Sequence, residues 1–108
     1  MYLFSWESRA FGGRLKATHA LEIPFAFDNL DRAGVDVFLG EGPLPQDLAD
    51  RMHAAWTAFV REGDPGCASL PYWPVYSPDM RETMVFDTAC SVARDPMAAE
   101  RASWNDRR

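Results

Sequence analysis

The sequence predicts an α/β chain, on three observations. The opening segment Tyr2-Leu-Phe-Ser-Trp6 is nearly continuous in apolar residues, the pattern of a strand covered on both faces, as at the centre of a parallel or mixed sheet. From Pro45 to Glu62 apolar residues recur at three- and four-residue spacing, the period of an amphipathic helix. Two short runs, Thr83–Asp87 and Ser91–Arg94, read as strands joined by a tight connection. At 108 residues, with 47% hydrophobic and 25% charged side chains, the chain has room for one globular domain at most, spanning 1–108. A complete (β/α)₈ barrel, at about 250 residues, is excluded.

The elements follow in order. Residues 8–18 (SRAFGGRLKAT) form a loop, with Gly12-Gly13 as breakers. In His19–Asn29, Pro24 forbids a long helix and leaves room for short helical turns on either side. Residues 28–43 are rich in turn formers. The long helix then presents Leu48, Met52, Ala55, Trp56, Phe59 and Val60 as one stripe, with Pro45 in its first turn and Gly63 just past its end. Residues 64–81 form a loop studded with proline. A last helix starts at Asp95-Pro96, with Asp95 as N-cap and Pro96 at the first helical position, and Ala98, Ala99, Ala102 and Trp104 make its modest apolar face.

Charge and composition narrow the function. Sixteen acidic against 11 basic residues give a net charge of −5. A nucleic-acid binder needs a basic face, and the chain has no basic cluster beyond Arg107–Arg108, so no nucleic-acid partner is expected. No apolar run approaches the ~20 residues of a membrane span. The opening residues lack the basic flank and long apolar stretch of a signal peptide. Cys67 and Cys90 make no CxxC or zinc pattern and read as two half-buried free thiols, with a single disulfide as the alternative. The absence of a targeting segment or a disulfide framework points to the cytoplasm.

Few residues could carry chemistry. There is no G-x-S-x-G, no G-x-G-x-x-G, no P-loop and no H-E-x-x-H, and no metal or cofactor is expected. His53 sits one residue after Met52 of the stripe and reads as a half-exposed helix histidine, with Asp47, Asp50 and Arg51 as a solvated face. His19 is different. It follows a glycine-bearing loop after an apolar strand, where a general base can sit, and Glu22 stands three residues on. Spacing alone equally allows a packed core histidine.

The run His19-Ala-Leu-Glu-Ile-Pro-Phe-Ala-Phe resembles the active-site histidine segment of type B carboxylesterases, the family of para-nitrobenzyl esterases and cholinesterases, whose pattern is roughly H-[GA]-x-E-[IL]-x-[FY]-x-F. Tyr2–Trp6 looks like the core strand before the histidine loop, and Ala10-Phe-Gly-Gly-Arg-Leu with Ala17-Thr-His19 looks like the loop. Met52-His-Ala-Ala-Trp-Thr-Ala-Phe-Val-Arg-Glu-Gly-Asp-Pro65 is similar to the long helix and its ending, and Trp73-Pro-Val-Tyr and Thr83–Asp87 to the segments that follow. The motifs cover almost the whole chain in order.

This resemblance implies an α/β-hydrolase fold, of which the chain would be the C-terminal portion: one core strand, the histidine loop, the long helix, a short strand pair and a terminal helix. It implies a serine esterase acting on a small-molecule carboxylic ester. In this fold the triad follows the order Ser, acid, His, so His19 would be its last member. The nucleophile, the acid and the oxyanion-hole loop of the family have no counterpart here, and the chain alone is predicted inactive. Glu22 would orient water or the histidine loop, or serve structure alone. Phe11 and Leu21 would line the substrate pocket or pack the core, and Phe25 and Phe27 fit the core. Leu3, Phe4 and Trp6 expect neighbouring strands on both sides. Burying each is worth about 1.5–3 kcal/mol, so leaving them bare would make the isolated chain marginal or oligomeric. The competing readings are a free-standing binding or assembly module of the same descent, pairing through its first strand, and an unrelated small α+β protein with a structural His19.

Overall fold

The computed structural model describes residues 1–105; the Arg107–Arg108 pair lies outside them. Three strands form one sheet in the order β1-β2-β3. Strand β1 (Tyr2–Phe4) runs parallel to β2 (Glu82–Phe86), with Tyr2, Leu3 and Phe4 opposite Met84, Val85 and Phe86. Strand β3 (Ser91–Arg94) folds back antiparallel on β2, setting Met84 opposite Val92. A parallel pair requires a long crossover. Here it carries α1 (Ala10–Gly13), α2 (Ile23–Ala26), α3 (Asp36–Leu39) and α4 (Gln46–Glu62); α5 (Ala98–Asn105) follows the hairpin. Both cysteines are free and half-buried.

The core lies where α2 and α4 meet one face of the sheet. Phe25, Leu21, Met52, Met84 and Phe86 are fully buried there. Each such side chain contributes about 1.5–3 kcal/mol. Aromatic edges link the layers: Phe4 lies 5.0 Å from Phe25, and Trp56 lies 5.9 Å from Phe86, ring centre to ring centre.

Helix α4 matches its expected span. Pro45 takes the N-cap position, and Gly63 closes the C-terminus in the left-handed region (φ 77°), its N–H donating to Phe59 O at 2.8 Å. Asp47 in the first turn and Arg61 in the last suit the helix dipole. The stripe is covered only in its first half. Leu48, Ala49, Met52 and Ala55 are buried, whereas Phe59 and Val60 are exposed, lining an open cleft with Met1, Tyr2 and Trp73.

Strand β1 differs from its expectation. It is not covered on both faces: Tyr2 is exposed and Leu3 and Phe4 are half-buried. The reason is that α2 and α4 cover one face of the sheet, and β1 also lies at its edge, with one hydrogen-bonded neighbour among the described strands. The predicted loss of burial is nevertheless partial, since Trp6 is buried against Phe25 at 5.3 Å.

Three local corrections follow. The turn α2 contains Pro24 instead of breaking at it, because a proline in the first turn forfeits no helical bond. The turn-rich stretch 28–43 hides α3, a single turn ended by Gly40 at φ 78°. Helix α5 begins at Ala98, later than expected. Asp95 does not cap it through its carboxylate, which is held by Arg101 through two bonds of 3.1 and 2.5 Å. The bond from Arg101 keeps the Asp95 carboxyl below its ordinary value against the opposing effect of desolvation, and the Arg101 and Arg81 charges add to the lowering. The expected apolar face of α5 contains no buried residue.

Candidate active site

His19 stands on a tight turn between the β1 loop and α2. Leu21 N donates to Thr18 O at 3.2 Å and Ile23 N to Ala20 O at 3.3 Å, which folds the chain sharply around the histidine. Ala20 sits at φ 67°, a left-handed conformation that costs an L-residue energy and favours glycine. Two residues after His19, Leu21 is fully buried, and so is Phe25. They drive the turn into the core and leave His19 on the surface.

The imidazole makes no hydrogen bond to another described residue, and no described carboxylate lies within 4.0 Å of it. His19 is thus an exposed imidazole on a tight turn, with both ring nitrogens open among the described residues. Glu22 is half-buried; its backbone carbonyl accepts from Phe25 N at 3.1 Å and Ala26 N at 3.0 Å. Its carboxylate has no hydrogen-bond partner among the described residues.

The other expected pocket residues separate. Leu21 belongs to the hydrophobic core, so its observed role is packing. Phe11 is 65% exposed and lines an open cleft of about 530 Å³ with Arg9, Asp36, Val37 and Glu41. Phe27 is 69% exposed rather than in the core, while Phe25 is where it was expected. His53 is an exposed residue of α4, and its Nδ1 lies 3.0 Å from Ala26 O.

Two residues near the site have no sequence signal. Ser8 is 2% exposed and bonded on several sides, and Arg9 donates to Pro43 O at 2.8 Å while lying 5.8 Å from the Trp6 ring centre. Among the described residues, no three of His, Cys, Asp and Glu gather to hold a metal ion, and no helix is long and apolar enough to cross a membrane.

Comparison with known proteins places this arrangement. No family model matches the chain. Individual relatives do. The Geobacillus stearothermophilus carboxylesterase EST55 superposes with a TM-score of 0.78 at 44% identity, covering 96% of this chain and 21% of that one. A structure of PNB esterase superposes at 0.80 with 33% identity, covering 94% and 21%. These are esterases of the α/β-hydrolase fold, and the strand, histidine turn, long helix and hairpin form a stretch of that fold. In sequence the chain is 41% identical over 98 residues to the phenmedipham hydrolase of Pseudarthrobacter oxydans, and 32% identical over 104 residues to the para-nitrobenzyl esterase of Bacillus subtilis. The chain belongs to the type B carboxylesterase family. It spans about one fifth of the length of these curated relatives.

Proposed function

We propose that this chain serves the hydrolysis of small-molecule carboxylic esters by supplying the general base of a serine esterase triad, His19. One observation carries the reading: the family's histidine motif falls on an exposed imidazole with no partner among the described residues, on a turn anchored by buried Leu21 and Phe25, in a chain 44% identical to a carboxylesterase.

The chemistry follows from a neutral imidazole. One ring nitrogen accepts the serine hydroxyl proton as the oxygen attacks the ester carbonyl, and the resulting imidazolium protonates the departing alcohol. A water then loses its proton to the same nitrogen and attacks the acyl-enzyme, and the proton returns to the serine oxygen as the acid leaves. The carboxylate that orients the histidine, the serine and the oxyanion donors belong to the remainder of such a site. Glu22, with its carboxylate unengaged among the described residues, is open to orient a water beside the histidine turn. Phe11, exposed on the preceding loop, contributes a wall to the ester pocket, and Leu21 acts from beneath by packing. The unpaired thiols Cys67 and Cys90 fit a reducing compartment, the cytoplasm in this reading.

The test seats residues 1–108 in place of the matching stretch of the Bacillus subtilis para-nitrobenzyl esterase and measures para-nitrophenyl ester hydrolysis. The chimera is expected to turn over, and His19→Gln to lower kcat by about 10²–10⁴-fold, the worth of a positioned general base. Full activity in the His19→Gln chimera overturns the assignment. The 108-residue chain alone is expected to hydrolyse the ester no faster than free imidazole, and a single-turnover acylation burst from it contradicts this reading. A stable homodimer of the chain, indifferent to His19→Gln and paired through β1, is the result an assembly module requires.

A further inference from the structure

The loop leading to His19 keeps a backbone that its own residues disfavour. Phe11 (φ 52°), Lys16 (φ 53°) and Ala20 (φ 67°) all lie in the left-handed region, and none is glycine. Bulky residues reach this region only where the surroundings over-determine the chain, and such residues gather at functional sites. The surroundings here converge on Ser8.

Ser8 is one of two buried polar side chains among the described residues, the other being Thr83. Its hydroxyl donates to Phe38 O in α3 and accepts from Ala10 N at 3.0 Å. Its backbone N–H donates to Lys16 O at 3.1 Å and closes the loop at its far end. Arg9 extends the seam, with Arg9 N donating to Leu39 O at 3.0 Å and its guanidinium to Pro43 O at 2.8 Å. Gly40 permits the approach: a Cβ there would lie 2.3 Å from Ala10 N. The loop is therefore stitched at both ends to one buried serine, and through it to α3.

His19 comes three residues after Lys16 and two before buried Leu21. No hydrogen bond holds the imidazole itself, so these two anchors set where it stands. We infer that Ser8 is a positioning residue for His19: its buried hydroxyl pins the start of the strained loop to α3, so that its backbone N–H can hold the far end at Lys16 and the imidazole meets the nucleophile. The inference rests on the reading of His19 as the triad base. A base displaced by about 1 Å loses on the order of 10²-fold in rate, and because Phe11 follows Ala10 on the same clamp, ester binding shifts by less than the chemical step.

The ester-hydrolysing chimera tests it. Ser8→Ala is expected to lower kcat by about 10- to 100-fold, a larger change than any in KM, with Ser8→Thr, which keeps the hydroxyl, recovering most of the loss. In the 108-residue chain, Ser8→Ala is expected to speed amide exchange at Ser8–Ala10 and Leu21, whose N–H groups hold the loop and the turn, and leave Met52 protected. An unchanged kcat in Ser8→Ala, or a loss borne by KM alone, overturns the inference while the His19 assignment stands. Full activity in His19→Gln overturns both. If Ser8→Ala does not fold, Arg9→Ala, which removes the outer bond to Pro43, replaces it: a fall in kcat larger than any change in KM supports the clamp, and wild-type kcat overturns it.

Discussion

The two histidines occupy contrasting regions. His53 lies on a regular helix whose backbone is satisfied by its own ladder, and its ring is engaged with Ala26 O at 3.0 Å, tying α4 to the end of α2. His19 lies on a turn with left-handed residues on both sides, and its ring touches no partner among the described residues. Exposure does not separate them, since both are at the surface. What separates them is where the local energy goes. At His53 a ring nitrogen is used to join two helices; around His19 strain is held in the backbone and the side chain is left open.

The largest expected effect sets one against the other. In the ester-hydrolysing chimera His19→Gln costs about 10²–10⁴ in kcat, whereas His53→Ala leaves kcat within a factor of about two and takes about 0.5–1.5 kcal/mol from stability, the net worth of one hydrogen bond. Steady-state kinetics with urea denaturation of the same proteins reads both. A kinetic collapse in His53→Ala would erase the distinction.

Next comes the contrast within α4. Met52 is fully buried, and Met52→Ala is expected to cost about 2–5 kcal/mol through lost transfer energy and the cavity left behind. Val60, 83% exposed on the same expected stripe, is expected to change by less than about 0.5 kcal/mol in Val60→Ala. Equal losses in denaturant midpoint would mean that something covers the end of α4 in solution.

A smaller effect probes the turn itself. Ala20→Gly relieves a left-handed alanine, worth about 1–2 kcal/mol, and adds freedom to the unfolded chain, worth about 0.4–1 kcal/mol. A net gain near 0.5–1 kcal/mol is expected in thermal or urea unfolding. A loss would mean that the Ala20 methyl is packed in a way that outweighs its backbone cost.

These contrasts also mark how far the sequence could be followed. The span of α4 was legible because Pro45, the apolar period and Gly63 are local signals that agree. Strand β3 and, within one residue, β2 were legible for the same reason. The burial of α4 was not, since which half of an apolar stripe is covered depends on how closely the distant chain packs on it, and Met1, Tyr2 and Trp73 leave an open cleft beside Phe59 and Val60. The motif at His19 was visible through family likeness, but its openness was not. Ser8 gave no sign at all, because its hydroxyl finds Phe38 O thirty positions away and nothing in S-R-A-F foretells that meeting. The start of α5 was misplaced by a similar long reach: Asp95 looked like a cap, but its carboxylate is taken by Arg101.

That pair yields the smallest expected effect, and its sign can be worked out. The folded Asp95 carboxyl titrates below its ordinary value near 3.8, chiefly because Arg101 donates to it. A group with a depressed folded pKa stabilises the fold above the unfolded value, and that contribution disappears as pH falls through the folded one. Asp95→Asn should therefore lower the Tm modestly at pH 6, and the gap from wild type should close as pH drops below about 3.8. The side chains are partly open to solvent, so the gap should also shrink with added salt. A gap that persists unchanged at pH 2 would show that the carboxylate's charge is not what holds α5, leaving the shape of the Asp95 turn (φ 45°) as the anchor.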